Sequence, residues 1–390
     1  MMKLKAYLLL FAAFVLLASC KEEETPETNT DKNVLPCFIT ADMVLTNHNP
    51  DGVDYFVNCI SEVSAGTLTI LPGVEIAFRP GSGLRVTNTA SIKAVGLDTL
   101  PIKFNGTTTT PSWLGISIES TQTGNEMAWC QITNAGKGEQ FNTQVAGFIY
   151  DAASAVSVYG KLKMHHCTIT QSGGNGVSFT SEASTGQFSH NNFINNSRYP
   201  VLTYGGALPN MMLDSGTYTG NKNQYIALFA KTSNAVIEEN IVIPATSIPY
   251  FAISDMFFAG NVTINAGATI VINKELGMGV TDNGKMLING TAANHVTIKG
   301  GNATAGYWKG ILVNSPTDNE FNYLDVSDGG NTAYYVAEKT NIAVGSAAPA
   351  KLTLNNCTSE RYPGTCAVAY SDTDGAFTNN SPLITNVCKY

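Results

Sequence analysis

The sequence predicts an all-β protein wound as an internally duplicated parallel solenoid, and three observations carry that prediction. The composition is that of strands and turns: 36 glycines in 390 residues, 13% charged side chains, and Asn and Thr each outnumbering Lys and Arg combined. Short alternating apolar runs, each ended by Gly, Asn, Pro or Asp, recur about every 22 to 26 residues: Leu68/Ile70 then Ile92, and Ile76/Phe78 then Ile102/Phe104. The chain also repeats itself, residues 66 to 78 (GTLTILPGVEIAF) matching residues 260 to 272 (GNVTINAGATIVI) in their alternation.

At the N-terminus, residues 1–19 carry Lys3 and Lys5, an apolar run from Tyr7 to Leu17, and small residues before Cys20. This is a secretion signal, too short and wrongly flanked for a transmembrane helix. Leu17-Ala18-Ser19-Cys20 resembles the lipobox of bacterial lipoproteins, which implies cleavage before Cys20 and acylation of its thiol. Residues 20–35, with Lys21-Glu22-Glu23-Glu24, have too little apolar surface to fold and read as a flexible acidic tether. An acidic run here is similar to the surface-export signal of Bacteroidetes-type lipoproteins. It implies an outer-membrane lipoprotein exposed at the cell surface, with the membrane as partner through the lipid anchor.

Residues 36–62 are expected to cap the first coil, because an open solenoid end exposes strand edges. Cys37 and Cys59 flank this segment and are the first disulfide candidates, and Cys366 and Cys388 could pin the C-terminus in the same way. With Cys20 lipidated, seven of the 8 cysteines remain, so at least one stays free or pairs between chains in an oxidising compartment.

Residues 63–258 hold the first repeat unit and its continuing coils, and residues 259–390 hold the second unit and a C-terminal cap. Trp113-Leu114-Gly115-Ile116 matches Trp308-Lys309-Gly310-Ile311, Asn125-Glu126 matches Asn319-Glu320, and residues 161 to 170 match residues 351 to 360. The offset drifts only between 195 and 189 residues. The weaker strand patterns of residues 197–258 read as coils joining the units, with two separate lobes as the alternative. Asn pairs near strand ends, such as Asn195-Asn196, Asn355-Asn356 and Asn379-Asn380, are expected to stack as amide ladders.

Taken together, the pattern TLTI-PG-I-F, an apolar PI-F, W-GI-I and NN-C/F resembles the right-handed parallel β-helix proteins of the pectin-lyase-like fold, over roughly residues 50 to 388. The resemblance implies the fold and is nearly silent on chemistry. Enzymes of that group imply either an acidic calcium cluster beside an Arg or Lys base, or adjacent Asp residues with a His and a basic clamp. The close acidic sets here are Glu238-Glu239, Asp325 with Asp328, and Asp372 with Asp374, and none sits in either context. No catalytic residues are therefore expected, and the reading leans away from an enzyme. Calcium is the one ion a lyase would bring, and no cofactor is expected otherwise.

His165-His166 and His190, one coil on, could place imidazoles together, but their equivalents Asn355-Asn356 and Asn379 read them as ladder substitutes, and no metal site is expected. Trp113 and Trp308 read as core, while Trp129 has no aromatic equivalent in the second unit, where Tyr323 lies close by. Arg198-Tyr199 and Arg361-Tyr362, each followed by Pro, are the candidate ligand-binding residues, because an Arg beside a Tyr suits an acidic sugar. The formal charge of -8, with no basic cluster, argues against nucleic acid. The expected function is a lipid-anchored, non-catalytic module binding polysaccharide or another surface component. A polysaccharide lyase or hydrolase and a purely structural surface protein are the alternatives.

Overall fold

The computed structural model describes residues 33–137, 153–180, 183–230, 236–334, 338–345, 349–371 and 375–390. The signal, Cys20, most of the tether, and Asp372 with Asp374 lie outside the described residues. No described helix is long and apolar enough to cross a membrane.

Every strand pairing in the named sheets is parallel, and neighbours in a sheet are separated in sequence by two strands, except at the C-terminal end, where Val387–Lys389 pairs with Val368–Tyr370 across a single intervening strand. That is a parallel β-helix with three strands per coil. A 13-stranded sheet, here sheet 1, runs from Phe38–Ile39 to Thr358–Glu360 without a break. In the first half it is joined by sheet 2, which starts at Met43–Leu45, and sheet 3, which starts at Tyr55–Val57. In the second half sheet 4, from Val236–Ile237, and sheet 5, from Ile241–Ile243, take their places. Because sheet 1 is continuous, the two halves form one solenoid and not two lobes. The other two faces break after Met211–Met212 and Thr217–Thr219, which follow the 3-10 helix Gly205–Asn210.

Alternation decides what lies inside. Ile76, Phe104, Ile132, Ile169, Phe193 and Tyr218 are register partners on successive strands of sheet 3, and all are buried. Their stacking fills the interior with one contiguous apolar column. Residues 36–62 supply the first strands of sheets 1, 2 and 3, so this end is built from the solenoid's own strands. Cys37 is bonded to Cys59 and Cys366 to Cys388, each pair with Cα atoms 5.8 Å apart. Cys130, Cys167 and Cys357 are free and buried.

The duplication extends to individual hydrogen bonds. Trp113 Nε1 donates to the Thr133 carbonyl at 2.9 Å, and its equivalent Trp308 Nε1 donates to the Ser327 carbonyl at 2.7 Å. Asn125 Oδ1 accepts the Ile92 N–H at 3.0 Å, and Asn319 Oδ1 accepts the Met286 N–H at 2.7 Å. Yet equivalent strands do not share a face. Thr67–Ile70 of sheet 2 corresponds to Asn261–Asn265 of sheet 5, and Glu75–Phe78 of sheet 3 corresponds to Thr269–Ile272 of sheet 1. The second unit begins one strand out of phase, so it is turned by one face about the solenoid axis.

The amide ladders are present on both the outer face and the interior. Asn380 Nδ2 donates to Asn355 Oδ1, and Asn355 Nδ2 donates to Asn322 Oδ1, each at 2.9 Å. Inside a corner, Asn196 Nδ2 donates to Asn221 Oδ1 at 2.8 Å.

Candidate functional site

The corner between sheets 3 and 1 carries the first predicted pair. The strand Asn192–Ile194 ends at Asn195, whose φ of 55° turns the chain out of the sheet. Buried Asn196 anchors the turn, leaving Arg198 exposed and Tyr199 half-buried before the strand Val201–Tyr204. Backbone bonds fix the segment to the coil before it: the Arg198 N–H donates to the Gly174 carbonyl at 3.0 Å, and the Tyr199 N–H to Asn175 Oδ1 at 3.2 Å.

The next two coils add residues that reading along the sequence did not single out. Lys222 is exposed one coil on, its N–H bonded to the Asn196 carbonyl at 2.9 Å, and Tyr225 follows at the same corner. Phe251, from the strand Tyr250–Ala252 of sheet 1, lies 5.1 Å from the Tyr225 ring centroid and 6.3 Å from that of Tyr199. All three rings are half-buried. Neither Tyr199 nor Tyr225 hydrogen-bonds another described residue through its hydroxyl, and the side chains of Arg198 and Lys222 pair with no described residue. Burial pushes the Tyr199 phenol up, with Tyr225 adding to the rise and Arg198 opposing it, so the hydroxyl stays protonated and able to donate. The strip therefore offers three aromatic rings, two phenol donors and two cations across three coils. Its signal in the sequence was coil spacing: Tyr199 and Tyr225 lie one coil apart.

Arg361 is differently placed. It turns the corner between sheets 1 and 4 at a φ of 48°. Its Nε donates to Asp328 Oδ1 at 2.6 Å and its Nη2 to Asp328 Oδ2 at 3.3 Å, with further bonds to Glu360 and Ser327. The Asp328 side chain is 1% exposed and that of Arg361 42%. The hydrogen bond to Asp328 is the chief cause that raises the guanidinium's pKa. This fork is committed to holding a buried carboxylate. The Tyr362 hydroxyl accepts a bond from Asn386 Nδ2 at 2.9 Å, and its ring packs against the core.

Of the acidic sets, Asp325, Asp328 and Glu239 are engaged, while Glu238 is exposed. Asp325 accepts from Thr358 Oγ1 at 2.6 Å and faces His295 Nδ1 at 2.9 Å, and Glu239 accepts the Tyr204 hydroxyl at 2.8 Å. On the outer face of sheet 1, Arg85 makes two 2.8 Å bonds to Glu119 and one of 3.4 Å to Glu62, beside a shallow cavity of about 410 Å³. An arginine bonded to both carboxylates fills the space that a sugar and water need between an acid and a base. A smaller cavity of about 260 Å³ is lined by Lys161, Lys163, Asn125 and Thr185 among others.

The three imidazoles do meet. His166 and His190 stack with centroids 4.8 Å apart, and Trp129 stacks on the other side of His166 at 4.2 Å. Trp129, His166 and His190 have φ values of 51°, 54° and 54°, each at a turn between sheets 2 and 3. Tyr323, at φ 48°, is the equivalent of Trp129: its N–H donates to the Asn355 carbonyl as that of Trp129 donates to His165. The second unit therefore does carry an aromatic residue at that turn. His165 Nδ1 lies 3.1 Å from His166 Nδ1, and His165 Nε2 lies 3.3 Å from Glu126 Oε1. Among the described residues no three His, Cys, Asp or Glu side chains converge as a metal cluster.

No protein family, curated protein or solved structure matches this chain.

Proposed function

We propose that this chain is a lipid-anchored, surface-exposed β-helix, akin to the pectin-lyase-like fold, that holds acidic polysaccharide without cleaving it. The reading rests on one observation above all: Tyr199, Tyr225 and Phe251 form a half-exposed aromatic strip beside Arg198 and Lys222. Sugar rings pack their apolar faces on aromatic carbon, and a carboxylated or sulfated sugar gains from adjacent guanidinium and ammonium groups. Strands repeating at roughly 4.8 Å per coil give an extended polymer several contacts in a row. Asp328, Asp325, Glu239 and Glu119 are bonded to Arg, His, Tyr or Thr partners, which favours retention over hydrolysis.

The test is retention of the full chain, purified in detergent, on immobilised acidic and neutral polysaccharides, with and without calcium, scoring chain shortening in parallel. Retention on acidic polymers, lost in Tyr225→Ala and weakened in Arg198→Gln, is the expected result. Shortening with new unsaturated or reducing ends would replace the proposal with a lyase or hydrolase. Retention on neither class would leave a structural surface protein. Acylation at Cys20, read by mass spectrometry of the N-terminal peptide, tests the anchor, and protease accessibility on intact cells tests exposure.

A further inference from the structure

We infer that His165 and His166 form a binding site for a divalent late transition-metal ion such as Cu²⁺, chelated between their two Nδ1 atoms. The inference is independent of the polysaccharide reading. Adjacent residues in a regular strand point to opposite faces, so a His-His pair there cannot chelate. Here Lys163–His165 ends sheet 2 at His165, and the left-handed φ of 54° at His166 turns the chain. Both rings therefore come to one side, edge to face at 86°, with their Nδ1 atoms 3.1 Å apart. With metal–nitrogen bonds of about 2.0–2.1 Å, that separation subtends roughly 95–102° at the ion, between square-planar and tetrahedral angles.

The surroundings favour the metal-ready form. Metal-bound imidazole commonly presents its remaining ring nitrogen to a carboxylate, which orients the ring and raises its basicity. Glu126 Oε1 holds that position against His165 Nε2 at 3.3 Å. Trp129 and His190 sandwich the His166 ring and fix its plane. Both histidine side chains are partly exposed, so an ion can reach them and water can complete its coordination. On binding, the proton held between the two Nδ1 atoms leaves to solvent and His166 Nε2 takes one up from solvent, so that both rings coordinate as neutral imidazoles. Glu126 acts as a positioning residue.

The repeat supplies the control. The second unit carries Asn355-Asn356 at the equivalent positions, with Asn356 at the same φ of 54°, so His165→Asn and His166→Asn restore residues this fold already accommodates there. Trp129, stacked on His166, supplies the readout, since the other two tryptophans, Trp113 and Trp308, are fully buried. Titrating Cu²⁺ into the full chain should quench Trp129 fluorescence saturably at one ion per chain. Electron paramagnetic resonance of the bound ion should show two coordinating nitrogens. The affinity should fall at least tenfold in each Asn variant, and roughly tenfold to a hundredfold in Glu126→Gln. Unsaturable quenching in the wild type, a one-nitrogen spectrum, or undiminished binding in the folded His165→Asn/His166→Asn variant would each overturn the inference.

Discussion

Arg361 can be separated experimentally from a ligand clamp, and the repeat supplies the substitution. Its equivalent in the first unit is Gln171, at φ 55°, and the equivalent of Asp328 is Asn134, at φ 56°, so a neutral pair occupies the same corner there. Replacing Arg361 with Gln leaves the Asp328 carboxylate, 1% exposed, with the Ser327 hydroxyl at 2.8 Å as its remaining side-chain donor. Removing one partner of a fully buried pair costs about 3–5 kcal/mol. Arg361 is 42% exposed, so water reaches the site and the expected loss falls to about 1–3 kcal/mol. The double variant Asp328→Asn/Arg361→Gln recreates the neutral pair and should return to within about 1 kcal/mol of wild type, a coupling of about 1–2 kcal/mol. Urea unfolding of the four proteins, followed by far-UV circular dichroism at one pH and salt, measures this directly. An Arg361→Gln protein with an unchanged midpoint and lost polysaccharide retention would refute the argument. A double variant as unstable as the single would refute it too.

Other consequences can be checked in the same way. Asn196→Leu strands the Ser172 N–H and breaks the buried amide ladder, and should cost about 2–4 kcal/mol with faster hydrogen exchange at Ser172, whereas half-buried Asn192→Ala should stay within about 0.5 kcal/mol. Trp113→Phe and Trp308→Phe each remove one buried indole bond and should cost about 1–2 kcal/mol apiece by urea midpoint, the near-equality being the sign of duplication. Cys366→Ser/Cys388→Ser, which opens a closure spanning 22 residues, should lose about 3 kcal/mol in the same assay. Burial raises the phenols of Tyr218, Tyr250 and Tyr334 above their unfolded value near 10. The stability they contribute is complete below that value and is lost as pH rises past it, so their phenolate absorbance should appear only together with unfolding, after the exposed tyrosines have titrated.

The fold was readable because its signals are local. A two-residue alternation assigns each side chain to core or surface, turn residues end each strand, and the repeat shows itself by direct alignment. The candidate site was readable in part: Arg198 and Tyr199 stood out, while Lys222, Tyr225 and Phe251 did not. Reading along the chain does not reveal lateral neighbours when coils differ in length. Arg85 meets Glu62 across 23 residues but Glu119 across 34, because turns of unequal length are absorbed at the corners. The same reading treated Arg198 and Arg361 alike, since the sequence does not display the buried carboxylate that engages only the second.

The amino-acid order alone determined a β-solenoid, its duplication and which residues point inward, because each depends on neighbours a few residues away or on a repeat that can be aligned. The tertiary structure alone decided the one-strand phase shift between the units, the three-ring strip, the pairing of Arg361 with Asp328, and the convergence of His165 and His166. Each of these depends on which coils stack and on how a left-handed turn aims a side chain. Both are set by summed turn lengths and backbone angles that no local pattern records.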